Sequence, residues 1–214
     1  KIKCKNLYKC DVSFHPEDEY SIENLIKNID KDVGNLDFVV HALAYSDKEE
    51  LKGKYVETSR QNFLSTLDIS TYSFTRISKS ASKIMSNGGS LLTLTYVGSN
   101  KTTPNYNVMG VAKAALETSV KYLSVDLGKN NIRVNAISAG PMKTIAGAAI
   151  SGARHVYRYS EKIAPLQKNP DLEQVGNAAL YLLSDISSGV TGLTHYVDGG
   201  LKVVGIPNQD IVNI

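Results

Sequence analysis

The chain has 214 residues, a formal net charge of +3, and 42% hydrophobic against 21% charged residues. That balance is ordinary for a globular protein; with no clustered basic stripe and no apolar run near ~18 residues, neither nucleic-acid binding nor a membrane span is expected. Cys4 and Cys10 have no His or Cys cluster around them, so no metal site is expected, and two inert thiols fit a reducing, cytoplasmic setting.

In chain order, residues 7–12 read as a strand. Residues 21–33 read as a helix, because Ile22, Leu25, Ile26, Ile29 and Val33 recur on one face and Gly34 follows as a stop. Residues 36–42 are a short apolar run between polar stretches, as in a buried parallel strand. A long helix is expected over 59–86. The pair Gly88–Gly89 opens a strand at 90–95. The next helix runs to about Gly128, followed by a strand at 131–138 that ends at Ala139-Gly140-Pro141. Residues 142–165 are rich in Ala, Gly and Ser and weakly periodic, as a mobile segment covering a substrate is. A helix at 172–184 and a strand at 194–198 close the pattern. Strands alternating with helices imply an α/β fold: a Rossmann-like, doubly wound parallel sheet with helices on both faces. With no linker and no repeat, residues 1–214 are expected to form one domain.

The chemistry concentrates near the middle. Tyr106 and Lys113 are seven residues apart at the start of a small-residue helix, and Tyr96 lies ten residues before Tyr106. At ~100° per residue, seven steps return to within ~20° of the same face. A phenol beside an ammonium is expected to have its pKa lowered. Such a phenol stabilises a developing oxyanion, the demand of carbonyl and enoyl reduction.

On these residues the sequence resembles the short-chain dehydrogenase/reductase superfamily, and within it the enoyl-acyl-carrier-protein reductases of bacterial type II fatty-acid synthesis. Most of the superfamily has Tyr-x3-Lys; the enoyl reductases have Tyr-x6-Lys with a second tyrosine ten residues earlier. Tyr96, Tyr106 and Lys113 match the second pattern, and the position four before Lys113 is Met109. His41-Ala42-Leu43-Ala44-Tyr45, the run from Asn135 to Thr144, and Val197-Asp198-Gly199-Gly200 look like family segments as well.

The resemblance implies NADH-dependent reduction of enoyl-acyl-carrier-protein thioesters, with NADPH kept as the second option. It implies that Lys113 holds the nicotinamide ribose, that Tyr106 faces the thioester carbonyl, and that Tyr96 packs beside it. Asp11 and Val12 would meet the adenine. Ala42, Leu43, Ala44 and Leu94 would line the dinucleotide, with Pro141, Met142 and Thr144 as a wall. Met109, Ala146 and Ile150 would line the acyl pocket. It also implies a homotetramer built on the two long helices, with Ala112, Ala114 and Ala115 allowing close approach, and the acidic carrier protein as a transient partner. His41 is expected to be a hydrogen-bonded strand-end residue.

Two features depart from the family. Residues 1–11 contain no glycine, so the glycine-rich βαβ unit that holds a pyrophosphate, roughly 40–50 residues, is expected to be missing before Lys1. Ala153 stands where the family often has a pocket-covering aromatic. Two other functions stay open on the sequence: a non-catalytic protein of this fold lacking the phosphate loop, and a ketone or alcohol dehydrogenase of the superfamily.

Overall fold

A computed structural model describes residues 4–144 and 151–207. Four strands form one parallel sheet in the order β1-β2-β3-β4: β1 Phe38–His41, β2 Gly89–Thr95, β3 Ile132–Ala139 and β4 Thr194–Val197. The α-helices of the described residues are α1 Ile22–Asp32, before β1, and α2 Arg60–Leu67, α3 Ser73–Ala81, α4 Asn107–Gly128, α5 Ala153–Ile163 and α6 Leu172–Leu183 between the strands.

Side-chain alternation along the central strands puts a core on each face. Leu91, Ile132, Val134 and Ala136 pack with Ile22 and Ile26 of α1, Phe74 of α3, and Leu116 and Val120 of α4. The neighbouring positions, Leu92, Ile137 and Ala139, turn to the other face and meet Val175 and Leu182 of α6. The expected doubly wound arrangement is therefore present.

The helix ends follow from the sequence. Ser21 Oγ accepts from Asn24 N–H to start α1, and Gly34, at φ +84°, turns the chain out of it with its N–H on Ile29 O. Asp171 and Gln174 form a reciprocal capping box at the start of α6.

Three expectations are corrected. Residues 7–12 form no strand: no described strand pairs with them, and among the described residues β1 is the outermost strand, with Phe38 and Val40 exposed. The helix expected over 59–86 is interrupted by a π-helical turn at Asp68–Tyr72. Hydroxyls explain the break: Ser73 Oγ donates to Ile69 O (2.6 Å), Thr71 Oγ1 to Ala112 O (2.8 Å) and Ser70 Oγ to Tyr45 O (2.9 Å). Finally, the weakly periodic stretch 142–165 contains a regular helix, α5 at Ala153–Ile163.

Strands β2, β3 and β4 all end at one side of the sheet, at Thr95, Ala139 and Val197. In open α/β sheets that carboxyl side is where ligands bind.

Candidate active site

The turn after β2 and the start of α4 bring the expected residues together. Tyr106 is the N-cap residue of α4 and only 7% exposed. Its neighbours Asn105 and Asn107 both have positive φ, at 57° and 34°, which bends the chain sharply around it. Asn105 Nδ2 donates to Ser151 O at 2.9 Å and ties this bend to the chain leading into α5. The Tyr106 ring meets Tyr96 edge to face, with centroids 5.2 Å apart and planes at 69°.

Two glycines allow this packing. A Cβ on Gly98 would come within 2.5 Å of the Tyr106 ring, and one on Gly110 within 2.8 Å of Gly98 O. Any larger residue at either position must push the turn or the ring aside.

Two turns into α4, Lys113 is 6% exposed, and Nζ donates to Leu94 O at 2.8 Å. This is the one hydrogen bond of the ammonium among the described residues. Burial pulls its pKa down to about 8, partly offset by the carboxylate of Glu117 one turn on. An ammonium with N–H groups to spare in a dry place is poised for a ligand with hydroxyls or negative charge.

The phenol corrects an expectation. The Tyr106 pKa is raised, not lowered: burial dominates, and Tyr96 and Glu117 add to it. Desolvation of a phenolate inside the protein dominates, and Lys113 is not among the charges that act on the phenol. Tyr106 therefore stays protonated, with its O–H available to donate a hydrogen bond. Burial also raises Tyr96, with a hydrogen bond to Thr103 working against it.

Tyr96, Tyr106 and Lys113 share one cavity of about 280 Å³ with Leu94, Pro141, Met142 and Thr144. Ala153 and Tyr157 of α5 line it as well. Tyr157, not singled out in the sequence, places a ring one turn from the small Ala153. Its helical i+4 spacing was hidden in a segment of weak periodicity.

Other expected residues lie elsewhere. Met109 does not line the cavity; it packs with Leu51, Val108 and Ala112 beside Tyr106 as part of a small core. Asp11 is exposed, and its Oδ1 accepts from Ser13 N–H and Oγ–H, which lowers its pKa. Val12 packs on the main core, and its carbonyl accepts from Arg76. Ala42, Leu43 and Ala44 are exposed beyond the carboxyl end of β1. One step past the His41–Thr93 pairing, the register puts Ala42 level with Leu94. Ala146 and Ile150 lie outside the described residues.

His41 has the expected structural role. Nε2 donates to Ser73 Oγ at 2.8 Å, since that hydroxyl gives its own proton to Ile69 O; Nδ1 then accepts from Thr93 Oγ1 at 3.0 Å. Burial, with Lys113 nearby, lowers its pKa to about 4, so it stays neutral at physiological pH.

A parallel sheet with a buried tyrosine–lysine pair at its carboxyl side defines an oxidoreductase of the short-chain dehydrogenase/reductase class. The family model for enoyl-(acyl carrier protein) reductase matches residues 1–202, and the chain belongs to that family. It is 54% identical over 205 residues to the enoyl-acyl-carrier-protein reductase (NADH) 1 of Rhizobium meliloti strain 1021, covering 96% of this chain and 74% of that protein. It is 48% identical over 199 residues to the corresponding NADPH enzyme of Staphylococcus aureus strain MRSA252, covering 93% and 76%. The crystal structure of an enoyl-(acyl-carrier-protein) reductase from Anaplasma phagocytophilum, in complex with NAD, superposes with a TM-score of 0.89 at 53% identity, covering 97% of this chain and 75% of that one. The chain thus spans about three quarters of the length of these relatives.

Proposed function

We propose that this chain, as a single reductase domain, uses NADH to reduce 2-trans-enoyl-acyl-carrier-protein thioesters to saturated acyl thioesters in type II fatty-acid synthesis. The observation that carries this is the buried pair Tyr106 and Lys113 on one cavity wall beside Tyr96. The cavity also fits the cofactor's sugar. Lys113 has ammonium N–H groups left over for ribose hydroxyls, while Leu94, Pro141, Met142 and Thr144 provide a mostly apolar wall for a flat ring. Asp11, Val12 and the exposed Ala42, Leu43 and Ala44 extend the cofactor assignment along the β1 side of the sheet. When bound, the cofactor supplies the hydride that adds to the β-carbon of the substrate. The resulting enolate gathers charge on the thioester oxygen, and the neutral Tyr106 phenol stabilises it by donating a hydrogen bond. Tyr96 holds the Tyr106 ring and lines the substrate side. The α-carbon then takes its proton from solvent. Ala146 and Ile150 remain assigned to the acyl pocket on the family pattern.

The ketone-reductase alternative needs a tyrosine at position 109, where Met109 fills a core. The non-catalytic alternative leaves no reason to bury an ammonium with most of its N–H groups unused, which costs stability.

Partners follow from the surface. Helix α5 lines the cavity and exposes Arg154, Arg158 and Lys162 at four-residue intervals, a basic stripe suited to an acidic carrier protein. The homotetramer is proposed on α4 and on the α2–α3 stretch, where Tyr122 (73%), Val125 (80%), Leu64 and Tyr72 are exposed. Ala112 is not part of that face; it is fully buried within the chain. No described helix is long and apolar enough to cross a membrane, and we place the protein in the cytoplasm.

Turnover of a short 2-trans-enoyl thioester is expected to exceed that of the matching 3-oxoacyl thioester by orders of magnitude, with NADH preferred to NADPH. NADH oxidation by the complete protein, followed by absorbance, measures both. Faster turnover of the 3-oxoacyl substrate overturns the assignment.

A further inference from the structure

Glu117 lies four residues beyond Lys113 on α4, on the same stripe of the helix. A glutamate on an exposed helix flank is normally solvated. Glu117 is half-buried instead, and both carboxylate oxygens are engaged. Oε1 accepts from Thr95 Oγ1 at 2.8 Å and from Ser99 Oγ at 2.5 Å, and Oε2 accepts from Asn100 Nδ2 at 3.3 Å. Thr95 is the last residue of β2, and Ser99 closes the short 3₁₀ turn Val97–Ser99. Tyr96 sits between these two anchors. Gly98 and Gly110 let the same turn lie directly against α4.

We propose that Glu117 is a positioning residue for the reductase site, its carboxylate fastening the turn that bears Tyr96 to the helix that bears Lys113. The proposal rests on the reductase assignment above. Charge-assisted hydrogen bonds to both ends of the turn fix its register, and with it the edge-to-face contact that seats the Tyr106 ring. The groups that act on Lys113 electrostatically are Glu117 on its own helix and, from β1, the neutral His41; the protonated Tyr106 lines the same cavity. The Glu117 carboxylate also favours the charged form of Lys113 at longer range.

The test compares the complete wild-type protein with Glu117→Leu and Glu117→Gln, using Tyr106→Phe as the reference. Glu117→Leu removes every acceptor of the clamp. It is expected to lower kcat for a short enoyl thioester about tenfold or more, since misplacements near 1 Å cost up to ~10²-fold. Glu117→Gln keeps an acceptor for Thr95 and Ser99 but removes the charge. It is expected to recover most of kcat at neutral pH, while the alkaline limb of its pH profile moves to lower pH. A purely structural glutamate would leave that limb where it is. Wild-type kcat in Glu117→Leu, or an unmoved alkaline limb in Glu117→Gln, overturns the proposal. Should Glu117→Leu fail to fold, Ser99→Ala, which removes one anchor of the turn, takes its place: kcat is expected to fall several-fold, and wild-type kcat overturns the proposal. If Tyr106→Phe keeps full turnover, the role assigned to Tyr106 fails; if the wild-type protein reduces no enoyl thioester, the reductase assignment fails and this proposal falls with it.

Discussion

Replacing Tyr106 by Phe is expected to lower kcat for a 2-trans-enoyl thioester about 10²–10³-fold, the cost of one oxyanion donor in a well-studied case. The change removes one oxygen and keeps the ring, so the edge-to-face contact with Tyr96 survives. The Lys113 ammonium and its bond to Leu94 O are untouched. NADH binding should therefore stay within about twofold, because the lost interaction is made only as charge develops. Because burial keeps the phenol protonated, its donor role needs no ionisation. Stopped-flow turnover and a fluorescence titration with NADH separate the two effects. Turnover at the wild-type rate sinks the assigned role.

Lys113→Met is expected to weaken NADH binding about ten- to hundredfold. Methionine fills much of the lysine stem in the small-residue helix but removes a charged donor, worth ~1.5–3 kcal/mol at about tenfold per 1.4 kcal/mol. The same residue predicts a pH dependence. Its pKa in the folded protein is about 8, below the usual value of 10.5, because burial disfavours the charge. The ammonium is thus present below about pH 8 and is lost as pH rises through that value. NADH affinity should fall along that limb, and the fall should vanish in Lys113→Met. Tyr106 is raised and His41 lowered, to about 4, so neither titrates in that window. The sign for stability is opposite: the cost of burying the charge is present below pH 8 and lifts towards pH 10.5. Calorimetric titration with NADH across this range is the check, and a flat wild-type affinity contradicts it.

The parts of the fold that were legible in the sequence were those with strong local signals. Ser21, the isoleucine stripe and Gly34 mark α1, and short apolar runs near glycines mark β2 and β3. The spacing of Tyr96, Tyr106 and Lys113 gave the site. What stayed hidden depended on tertiary context. Residues 7–12 have a strand pattern, but pairing decides a strand, and no described neighbour supplies it. The α5 stripe runs through Ala153, Val156, Tyr157 and Ser160, too small and mixed to stand out from a loop. The π turn at Asp68–Tyr72 arises from hydroxyls bonding distant or local carbonyls. The Tyr106 expectation failed because helical spacing shows which charges are near but not how dry the place is. Met109 shares the helix with both site residues, yet its side chain turns into the Leu51 core. Glu117 was within one turn of Lys113 throughout; only the positions of Thr95 and Ser99 reveal its task.

The central claim is that hydride enters at the β-carbon and that Tyr106 stabilises the enolate until the α-carbon is protonated. The most direct measurement is reduction of a short 2-trans-enoyl thioester by the complete protein with unlabelled NADH in heavy water. Mass spectrometry of the product then locates the label. The account predicts one solvent deuterium, on the α-carbon, and none on the β-carbon. Deuterium on the β-carbon, or no reduction at all, contradicts it.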